Sequence, residues 1–392
     1  MDAVVKVAVD VLNRIMEIKK ITKAVCKTTR TLWEEVFPED SIQFTDYYFE
    51  HKAPNNIGYV TGEEPYDAMM FRTPYELCIG KEQREISYLV GVATREECRH
   101  RGYMRRLLLH SFQEMYEEKQ PFTFLMPANP AIYRPFGFRY IYERDVWKLR
   151  KGFDLEKELE ETRKITPVMP EDSELKAAGV EEDGSKSKLS GLYSVRQLLE
   201  DLPILDMLAK FANEYMEKHY NIYVHRDVSY YEMQLKESQA QNGDIYVLLD
   251  EGTIKAFFLY AKEEEEVFLQ EVMEAEEGIL DFLQKEEKKK PIVMARIIHL
   301  EEMMKLVCSK EARKIIIKIE DDLIPQNEGI YHWDITEQGS RVTKIQPESK
   351  KKKVEATETE VYRKQDLVAE LSMHVQDFIN FVFKDVFINE IV

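Results

Sequence analysis

The residues best suited to chemistry lie in Arg99–Met104, where basic side chains surround one glycine in the sequence R-H-R-G-Y-M. The apolar run Tyr88–Thr94 precedes this segment, and apolar residues at helical spacing follow it, so a strand is predicted to turn into a helix here. The first N–H groups of a helix lack intrahelical partners and attract anions, and Gly102, which has no Cβ, lets a phosphate group approach closely. The segment therefore predicts a pyrophosphate site. Its positive charge comes from Arg99, Arg101, Arg105 and Arg106.

The strand-turn-helix arrangement differs from two common phosphate-binding motifs. The chain contains no G-x-x-x-x-G-K-[ST] sequence of the P-loop type and no G-x-G-x-x-G dinucleotide fingerprint. A further strand is predicted at Phe122–Met126, and the segment Ala131–Phe138, which reads A-I-Y-R-P-F-G-F, follows it. These two strands and the helix between them must position whatever chemistry the basic turn performs.

The sequence V-A-T-x-x-x-x-R-x-R-G-x-M over Val92–Met104 resembles the acetyl-CoA-binding motif of the GNAT acetyltransferases, in which R/Q-x-x-G-x-G/A joins a central strand to a helix. Met104 departs from the general pattern, which has a small residue there. Together with I-Y-x-x-F-G-F, the region 85–140 is similar to one branch of that superfamily, the Eis (enhanced intracellular survival) proteins. The resemblance implies acetyl-CoA as cosubstrate and direct transfer of the acetyl group to an amine through a ternary complex. The positions implied to contact acetyl-CoA are Val92, Ala93, Thr94, Arg99, His100, Arg101, Gly102, Tyr103, Met104, Arg105 and Asn129.

Acetyl transfer needs a hydrogen-bond donor for the thioester oxygen and a proton for the leaving thiolate. Gly91 in Val90–Val92 predicts a β-bulge that frees the Val92 N–H for the oxygen, although the glycine of an ordinary buried strand is the alternative. Tyr133 is the candidate acid, because a phenol with a pKa of ~10 can protonate a thiolate whose thiol has a pKa of ~8.5. The chain has 21 tyrosines, most of which must be packing residues. The resemblance is what distinguishes Tyr133, since it matches the proton donor of the Eis family.

The base is implied only by the resemblance, which assigns it to the terminal carboxylate, here that of Val392. The tail from Phe383 to Val392 is apolar enough that we expect it to dock against the protein. A tail that only packs is the alternative, because an α-carboxylate with a pKa of ~3.5 is a weak base unless it is desolvated or acts through water. If the terminal carboxylate is not the base, water or an internal carboxylate such as Glu390 is the next candidate. His100 has an alternative as well, since it can be an ordinary surface residue.

Charge and cysteine usage limit the partners and the compartment. The formal net charge of -18 and pI near 5.1 argue against nucleic acid or an anionic membrane as partner and favour a small cationic amine or a lysine-bearing substrate. No signal peptide and no run of ~20 apolar residues occurs, so a cytoplasmic location is expected. The histidines and cysteines lack metal-ligand spacing, so no metal is expected. The four cysteines, which also lack C-x-x-C spacing, are Cys26, Cys78, Cys98 and Cys308.

The length of 392 residues predicts two or three domains. The expected fold class is α/β (α+β), with two GNAT-like mixed-sheet domains at 16–150 and 151–290 and a third domain at 291–392. The second is predicted to be degenerate, because an acidic turn at Glu274–Ile279, followed by a helix, would repel a pyrophosphate. The resemblance implies that the third is sterol-carrier-like, and its last helix is predicted at Lys364–Phe383. Residues 1–15 are interpreted as an appended helix or a start placed too early.

Three functions are compatible with the sequence. An acetyl-CoA-dependent N-acetyltransferase acting on a cationic substrate is the leading interpretation. A duplicated GNAT fold that moves aminoacyl groups from tRNA is the second, although the acidic composition weighs against it. A non-catalytic CoA-binding or lipid-binding protein built on the third domain is the third. A homo-oligomer is expected, and the resemblance implies a hexamer.

Overall fold

The computed structural model describes residues 17–155, 157, 160, 190–345 and 369–390, except for positions 22, 24, 264 and 265. The predicted helix at 1–15 and the terminal residue Val392 lie outside the described residues. Within the described ranges the chain forms one nine-stranded mixed sheet, two four-stranded sheets, a two-stranded ribbon and helices that cover them.

The nine-stranded sheet is built mainly from the N-terminal part of the chain. Its first six strands are β1 (Ile18–Ile21), β2 (Ile57–Thr61), β3 (Ala68–Ile79), β4 (Glu82–Thr94), β5 (Phe122–Leu125) and β6 (Arg139–Arg144). Strands β1 to β4 are antiparallel neighbours in that order, while β4 and β5 run parallel. The sequence predicts β3 as two separate strands, and the structure forms one long strand because the segment pairs with β4 over its whole length.

Four helices or helical turns position the ends of these strands: α1 (Arg30–Val36), α2 (Ile42–Tyr47), α3 (Tyr103–Glu117) and α4 (Pro130–Tyr133). Helix α2 continues into a π-helical turn at Tyr48–Lys52. The predicted apolar face of α3 is confirmed, because Leu107, Leu108, Phe112 and Met115 are all fully buried. Helix α3 therefore lies directly against the sheet. Its first residue, Tyr103, follows the basic turn Arg99–Gly102.

The second sheet consists of β8 (Gly191–Ser194), β10 (Asp244–Asp250), β11 (Thr253–Glu263) and β12 (Glu266–Glu274) in the order β12-β11-β10-β8. Its helices are α5 (Val195–Leu198), α6 (Ile204–His219) and α7 (Val228–Ala240). The sequence predicts a helix after Glu274, and this prediction is wrong. The Glu274 carboxylate accepts hydrogen bonds from the N–H groups of Gly278 (3.2 Å) and Leu280 (2.7 Å), so the segment closes into turns. It then continues to the short strand β13 (Leu283–Lys285), which pairs with β7 (Trp147–Leu149).

Strand β14 (Lys290–Ile297) inserts between β5 and β6 of the large sheet and is antiparallel to both. The boundary predicted at 290/291 thus falls at the start of a strand in the N-terminal sheet. Val293, Met294, Ala295 and Ile297 of this strand are fully buried. Apolar burial on both of its faces makes the strand part of the N-terminal core.

The C-terminal sheet has the order β17-β16-β15-β18 and packs with α8 (Leu300–Leu306) and α9 (Val375–Val382). Its strands are β15 (Arg313–Glu320), β16 (Gly329–Thr336), β17 (Gly339–Ile345) and β18 (Ala369–His374). The single helix predicted at Lys364–Phe383 is wrong over Ala369–His374, which pairs in parallel with β15. Hydrogen bonding to a neighbouring strand overrides the helical spacing there.

The remaining two strands of the large sheet are β9 (Ile222–Val224) and β19 (Val386–Phe387). Strand β19 runs parallel to β9, and β9 is antiparallel to the end of β3. Ile388 and Glu390 are almost completely buried. The expected docking of the apolar tail is therefore confirmed as far as Glu390, the last described residue.

Candidate active site

A β-bulge interrupts β4 at the predicted position. Met69 pairs with Ala93 and Phe71 pairs with Val90, so Gly91 and Val92 together face a single residue of β3. Gly91 has a φ of +59°, and a Cβ added there would lie 2.6 Å from the indole of Trp33. The bulge is thus specified by a glycine that no other residue type can replace without displacing Trp33.

Strands β4 and β5 separate soon after they meet. Their register contains one pair, Tyr88 with Phe124, although β4 continues to Thr94. Beyond that pair the backbone of β4 faces no described strand on its β5 side. Unpaired N–H and C=O groups along a strand can hydrogen-bond an extended ligand, so the gap after Tyr88 is suited to a chain-like cosubstrate.

The basic turn lies between the end of β4 and the start of α3. His100 has a φ of 62° and Gly102, which caps α3, has a φ of 84°. A Cβ built on Gly102 meets no atom within 4 Å, so the space in front of the helix is open. Arg99, Arg101 and Arg105 are exposed around that opening. Free helical N–H groups, an open approach and arginine side chains together fit a phosphate-bearing ligand.

The structure brings the predicted cosubstrate positions to one edge of the sheet. Parallel strands present their carboxyl ends on the same side, and the basic turn follows β4 while Asn129 follows β5. The Arg99 Nε donates to the carbonyl oxygen of Thr94 at 3.3 Å, which holds the turn against the end of β4. Ala93 and Tyr103 are buried and fix this edge to the core, whereas Val92, Thr94 and Met104 are half-buried. His100 and Asn129 are exposed.

Tyr133 is the last residue of helix α4, and Asn129 is the N-cap residue of this helix. The Asn129 side chain caps this helix by accepting the Ala131 N–H at 3.0 Å, and Pro130 takes the first helical position. Tyr133 is half-buried with its ring edge-on to Phe138 at 5.9 Å, and burial raises its pKa to about 12. The phenol therefore keeps its proton at neutral pH, as a proton donor must.

The glycine of the I-Y-R-P-F-G-F segment also has a structural role. Gly137 has a φ of +82°, and a Cβ there would lie 2.9 Å from the Arg296 side chain on β14. Arg296 is buried and bonds the equally buried Asp321 at 2.5 Å. The Tyr133 segment is thus seated on a strand that the sequence assigns to a different domain.

A cavity of about 270 Å³ lies between strand β3 and the start of helix α7. Its lining comes from the π-helical turn after α2, from Thr73–Glu76 of β3 and from the residues His225 to Gln234 around the start of α7. Lys52 and Glu237 form a buried ion pair at its wall, with a separation of 3.0 Å between Nζ and Oε2. Burial opposes the charge of Lys52, but the Glu237 carboxylate outweighs it and raises the pKa of Lys52.

Aromatic rings connect this cavity with the gap between β4 and β5. The Tyr75 ring lines the cavity and lies 6.1 Å from Tyr88, which in turn lies 5.2 Å from Phe124. Burial raises the pKa of both tyrosines, and the ionised form of Tyr133 would raise the pKa of Tyr88 further. The rings of Tyr75 and Tyr88 therefore extend from the cavity lining to the pair at which β4 meets β5.

Glu390, the last described residue, contacts a residue of the cavity lining. Both of its carboxylate oxygens accept from the Tyr230 hydroxyl at 3.1 Å, and Tyr230 lines the cavity. Burial is the main reason that the pKa of Glu390 rises to about 7. Sequence reasoning proposes the carboxylate of Val392 for this region; the structure places Glu390 there and does not describe Val392.

Sequence reasoning missed Lys52, Tyr75, Tyr230 and Glu237 as site residues. These four residues come from three separate segments, and none of them belongs to a local motif. Among the described residues no group of three or more His, Cys, Asp or Glu side chains is arranged to hold a metal ion. In the same part of the chain, no helix is both long and apolar enough to cross a membrane.

Comparison with known proteins supports the N-terminal assignment. Residues 17–141 match the family described as the acetyltransferase (GNAT) domain. A solved structure of a protein of unknown function from Enterococcus faecalis V583, described as a probable N-acyltransferase, superposes with a TM-score of 0.67 at 16% identity over 94% of this chain and 90% of that chain.

Two further solved structures have the same fold. A GCN5-related N-acetyltransferase from Anabaena variabilis has a TM-score of 0.63 at 13% identity, over 94% of this chain and 90% of that chain. Eis1 from Mycobacterium abscessus has a TM-score of 0.59 at 10% identity, over 94% of this chain and 89% of that chain. At such identities the likeness shows the fold alone.

No curated protein sequence matches the chain. The residues that match the family, 17–141, contain the bulged strand, the glycine turn and the helix that follows it. The prediction of a GNAT domain in the N-terminal part is therefore confirmed. The chain has a mixed α/β fold in which residues 17–141 match the acetyltransferase (GNAT) domain family.

Proposed function

We propose that the chain is an acetyl-CoA-dependent N-acetyltransferase that acetylates an amine on a cationic substrate. The observation that supports this most directly is the shared edge of β4 and β5. That edge combines the bulge at Gly91, the open helix start at Gly102 and the protonated phenol of Tyr133. An oxyanion donor, an anion site and a proton donor on one edge are the groups that thioester aminolysis requires.

The residues of this edge fit acetyl-CoA, which supplies an activated acetyl group when bound. The N–H groups at the start of α3 bind the pyrophosphate, and Arg99, Arg101 and Arg105 supply charge. The unpaired backbone of Leu89–Thr94 holds the extended arm by hydrogen bonds, and Asn129 lies beside it at the end of β5. The Val92 N–H is the donor for the carbonyl oxygen, and Tyr133 gives its proton to the sulfur.

Direct transfer to the amine is favoured over a covalent acyl-enzyme. The cysteine of the basic turn, Cys98, is buried beside Asp67, and burial raises the pKa of its thiol. A thiol with a raised pKa is a poor nucleophile at neutral pH. The cosubstrate edge and the acceptor cavity are also distinct places, so both substrates can be bound together.

A cationic acceptor is favoured by the charge of the cavity and of the whole chain. Glu76 and Asp227 line the cavity and Glu390 lies beneath it, while Lys52 is neutralised by Glu237. The formal net charge of -18 attracts polyamines, lysine-bearing peptides and aminoglycosides alike.

The finer architecture remains part of the proposal. We assign residues 16–150 to the catalytic unit, 151–290 to a degenerate GNAT-like unit and 291–392 to a sterol-carrier-like unit. Strand β14, at the start of the third unit, pairs with strands of the first. The Eis branch, a cytoplasmic location and a homo-oligomer, with the hexamer implied by the resemblance, are proposed with it. Light scattering of the purified chain tests the hexamer, which a monomeric mass would exclude.

Thiol release tests the activity itself. The purified chain is mixed with acetyl-CoA and a panel of polyamines, lysine peptides and aminoglycosides, and free CoA is measured against acetyl-CoA alone. Amine-dependent release together with acetylated product in mass spectra supports the proposal. Tight binding of acetyl-CoA without release for any amine would leave a binding protein as the better description.

A further inference from the structure

One buried carboxylate forms no ion pair with another residue that the structure describes. Glu390 is 1% exposed, and its described hydrogen bonds come from the Tyr230 hydroxyl. Burying an unpaired charge costs free energy, so such a carboxyl group is either protonated or retained for a function. We propose that Glu390 is the proton acceptor for the substrate amine, reached through the hydroxyl of Tyr230. This inference rests on the proposed function and gives Glu390 the role that the family resemblance implies for the carboxylate of Val392.

Tyr230 is placed to connect the cavity with the carboxylate. It lies in the first turn of α7, where its N–H donates to the capping side chain of Asp227 at 2.7 Å. It is half-buried, so one side of its ring faces the cavity while its hydroxyl reaches both Glu390 oxygens at 3.1 Å. A cap and a buried partner fix the phenol in this position, which is what proton transfer needs.

The nearby cations are already engaged elsewhere. The Arg226 guanidinium forms two hydrogen bonds with Glu271, at 2.5 and 2.9 Å, and Lys52 is paired with Glu237. The tail itself is held by Asn389, whose amide donates to the carbonyl oxygen of Gln270 at 2.8 Å. Glu390 is thus fixed in place by its neighbours in the chain and not by an ion pair.

The groups around Glu390 have opposing effects on its pKa. Burial and the Glu271 carboxylate on β12 raise its pKa, while Arg226 before α7, Lys52 after α2 and the Tyr230 hydroxyl lower it. Tyr75 on β3 and Tyr231 on α7 also face it. The resulting pKa of about 7 suits a base that must take a proton at neutral pH and release it again.

The proton movements balance. The ammonium group of the substrate gives one proton to the Tyr230 oxygen while Tyr230 passes its own proton to Glu390. The neutral nitrogen then bonds to the acetyl carbon, the carbon–sulfur bond breaks and Tyr133 protonates the sulfur. The second nitrogen proton restores Tyr133 through water, and Glu390 releases its proton to solvent, so the net products are the amide, free CoA and one proton.

Glu390→Gln and Tyr230→Phe test the assignment. Because general base catalysis is typically worth ~10²–10⁴-fold, each variant is expected to lose at least about 10²-fold in kcat/KM at pH 7. Calorimetry should show unchanged affinity for acetyl-CoA. Tyr331→Phe is the control, since it removes a buried phenol hydroxyl in the C-terminal sheet that donates to the Asn327 carbonyl oxygen, and it should stay within a few-fold of the wild type.

The pH profile separates a base from a packing role. Wild-type kcat/KM is expected to fall as pH drops below about 7, and this limb should be missing from Glu390→Gln. A second readout needs no turnover: ¹³C-glutamate spectra should show one carboxyl titrating near pH 7 that is lost in the same variant. Melting curves identify any variant that fails to fold, in which case Glu390→Asp replaces it.

Several outcomes would overturn the assignment while leaving the proposed function intact. One is wild-type turnover by Glu390→Gln, and another is an equal loss at every pH. A chain extended by one or two residues after Val392 discriminates further: the extension should leave turnover nearly unchanged if Glu390 is the base, and abolish it if the terminal carboxylate is. If the wild type releases no CoA with any amine, the proposed function is wrong. If no carboxyl group titrates near pH 7 in the ¹³C-glutamate spectra, the assignment of Glu390 is wrong in either case.

Discussion

Two turns of the molecule contain a glycine with the same φ and have opposite charges around it. Gly102 after β4 and Gly278 after β12 both have a φ of +84°, and a Cβ added to either meets no atom within 4 Å. At Gly102 the N–H groups open a helix among exposed arginines. At Gly278 the N–H group is taken by the carboxylate of Glu274, which also binds Leu280.

The difference teaches what separates a binding turn from a structural one. Backbone N–H groups that point into one space need an anion, whether it comes from a ligand or from the chain. The second turn supplies its own carboxylate and is surrounded by Glu276 and Glu277, so a pyrophosphate would be repelled. Among the described residues, no carboxylate is recorded accepting from the N–H groups of Tyr103 or Met104 at the first turn, so we expect a ligand to bind them.

The largest expected effect of this difference is on chemistry, which should be confined to the edge that carries the first turn. Tyr133→Phe removes only the proton donor, so kcat should fall by ~10²–10⁴-fold while acetyl-CoA affinity stays nearly intact. Steady-state kinetics and calorimetry measure the two quantities. Tyr193→Phe is the control in the second sheet, where the hydroxyl donates to the Ser190 carbonyl oxygen, and its kcat should not change. A drop of less than a few-fold in Tyr133→Phe would assign Tyr133 to packing.

The next effect is on binding. Gly102→Val puts a branched side chain where the phosphate must approach, and it strains a left-handed residue. Affinity for acetyl-CoA should weaken by at least about tenfold, which corresponds to about 1.4 kcal/mol. Gly278→Val introduces the same strain at the same φ, so it should lower the melting temperature comparably and leave the affinity unchanged. Equal affinities for the two variants would mean that the first turn does not hold the pyrophosphate.

The smallest effect concerns the second turn alone. Glu274→Gln keeps the size of the side chain but weakens charge-assisted hydrogen bonds to two N–H groups. A loss of about 1 kcal/mol in the free energy of unfolding is expected, with no change in acetyl-CoA affinity or turnover. Denaturant titration measures the first quantity. Any gain of acetyl-CoA binding at a second site would show that the two turns differ only in this one carboxylate.

Local features of the sequence were predictable because neighbouring residues determine them. The strand, the bulge at Gly91, the basic turn and the apolar face of α3 are all contained in one continuous segment, and each is found where the sequence places it. The acceptor cavity was not predictable in this way. Tyr75, Tyr230 and Glu390 are brought together by the pairing of β9 with β3 and β19, which no short motif encodes.

Two wrong predictions have the same origin. The helical spacing of Lys364–Phe383 is real, but residues 369–374 find an open strand edge on β15 and pair with it. The helix expected after Glu274 is replaced by a turn, because one carboxylate captures two N–H groups. In both places a specific partner outweighed a local preference of well under a kilocalorie per residue, about 0.7 kcal/mol or less.

The insertion of β14 between β5 and β6 also affects the order in which the protein is made. On the ribosome, the nine-stranded sheet cannot be completed when Arg144 emerges, because strand β14 begins only at Lys290. Until then the edges of β5 and β6 are exposed to wrong pairing, as any unpaired strand edge is. The residues of the whole second sheet must therefore be synthesised before the nine-stranded sheet can be completed. A chain that is cut before β14 lacks an internal strand of that sheet.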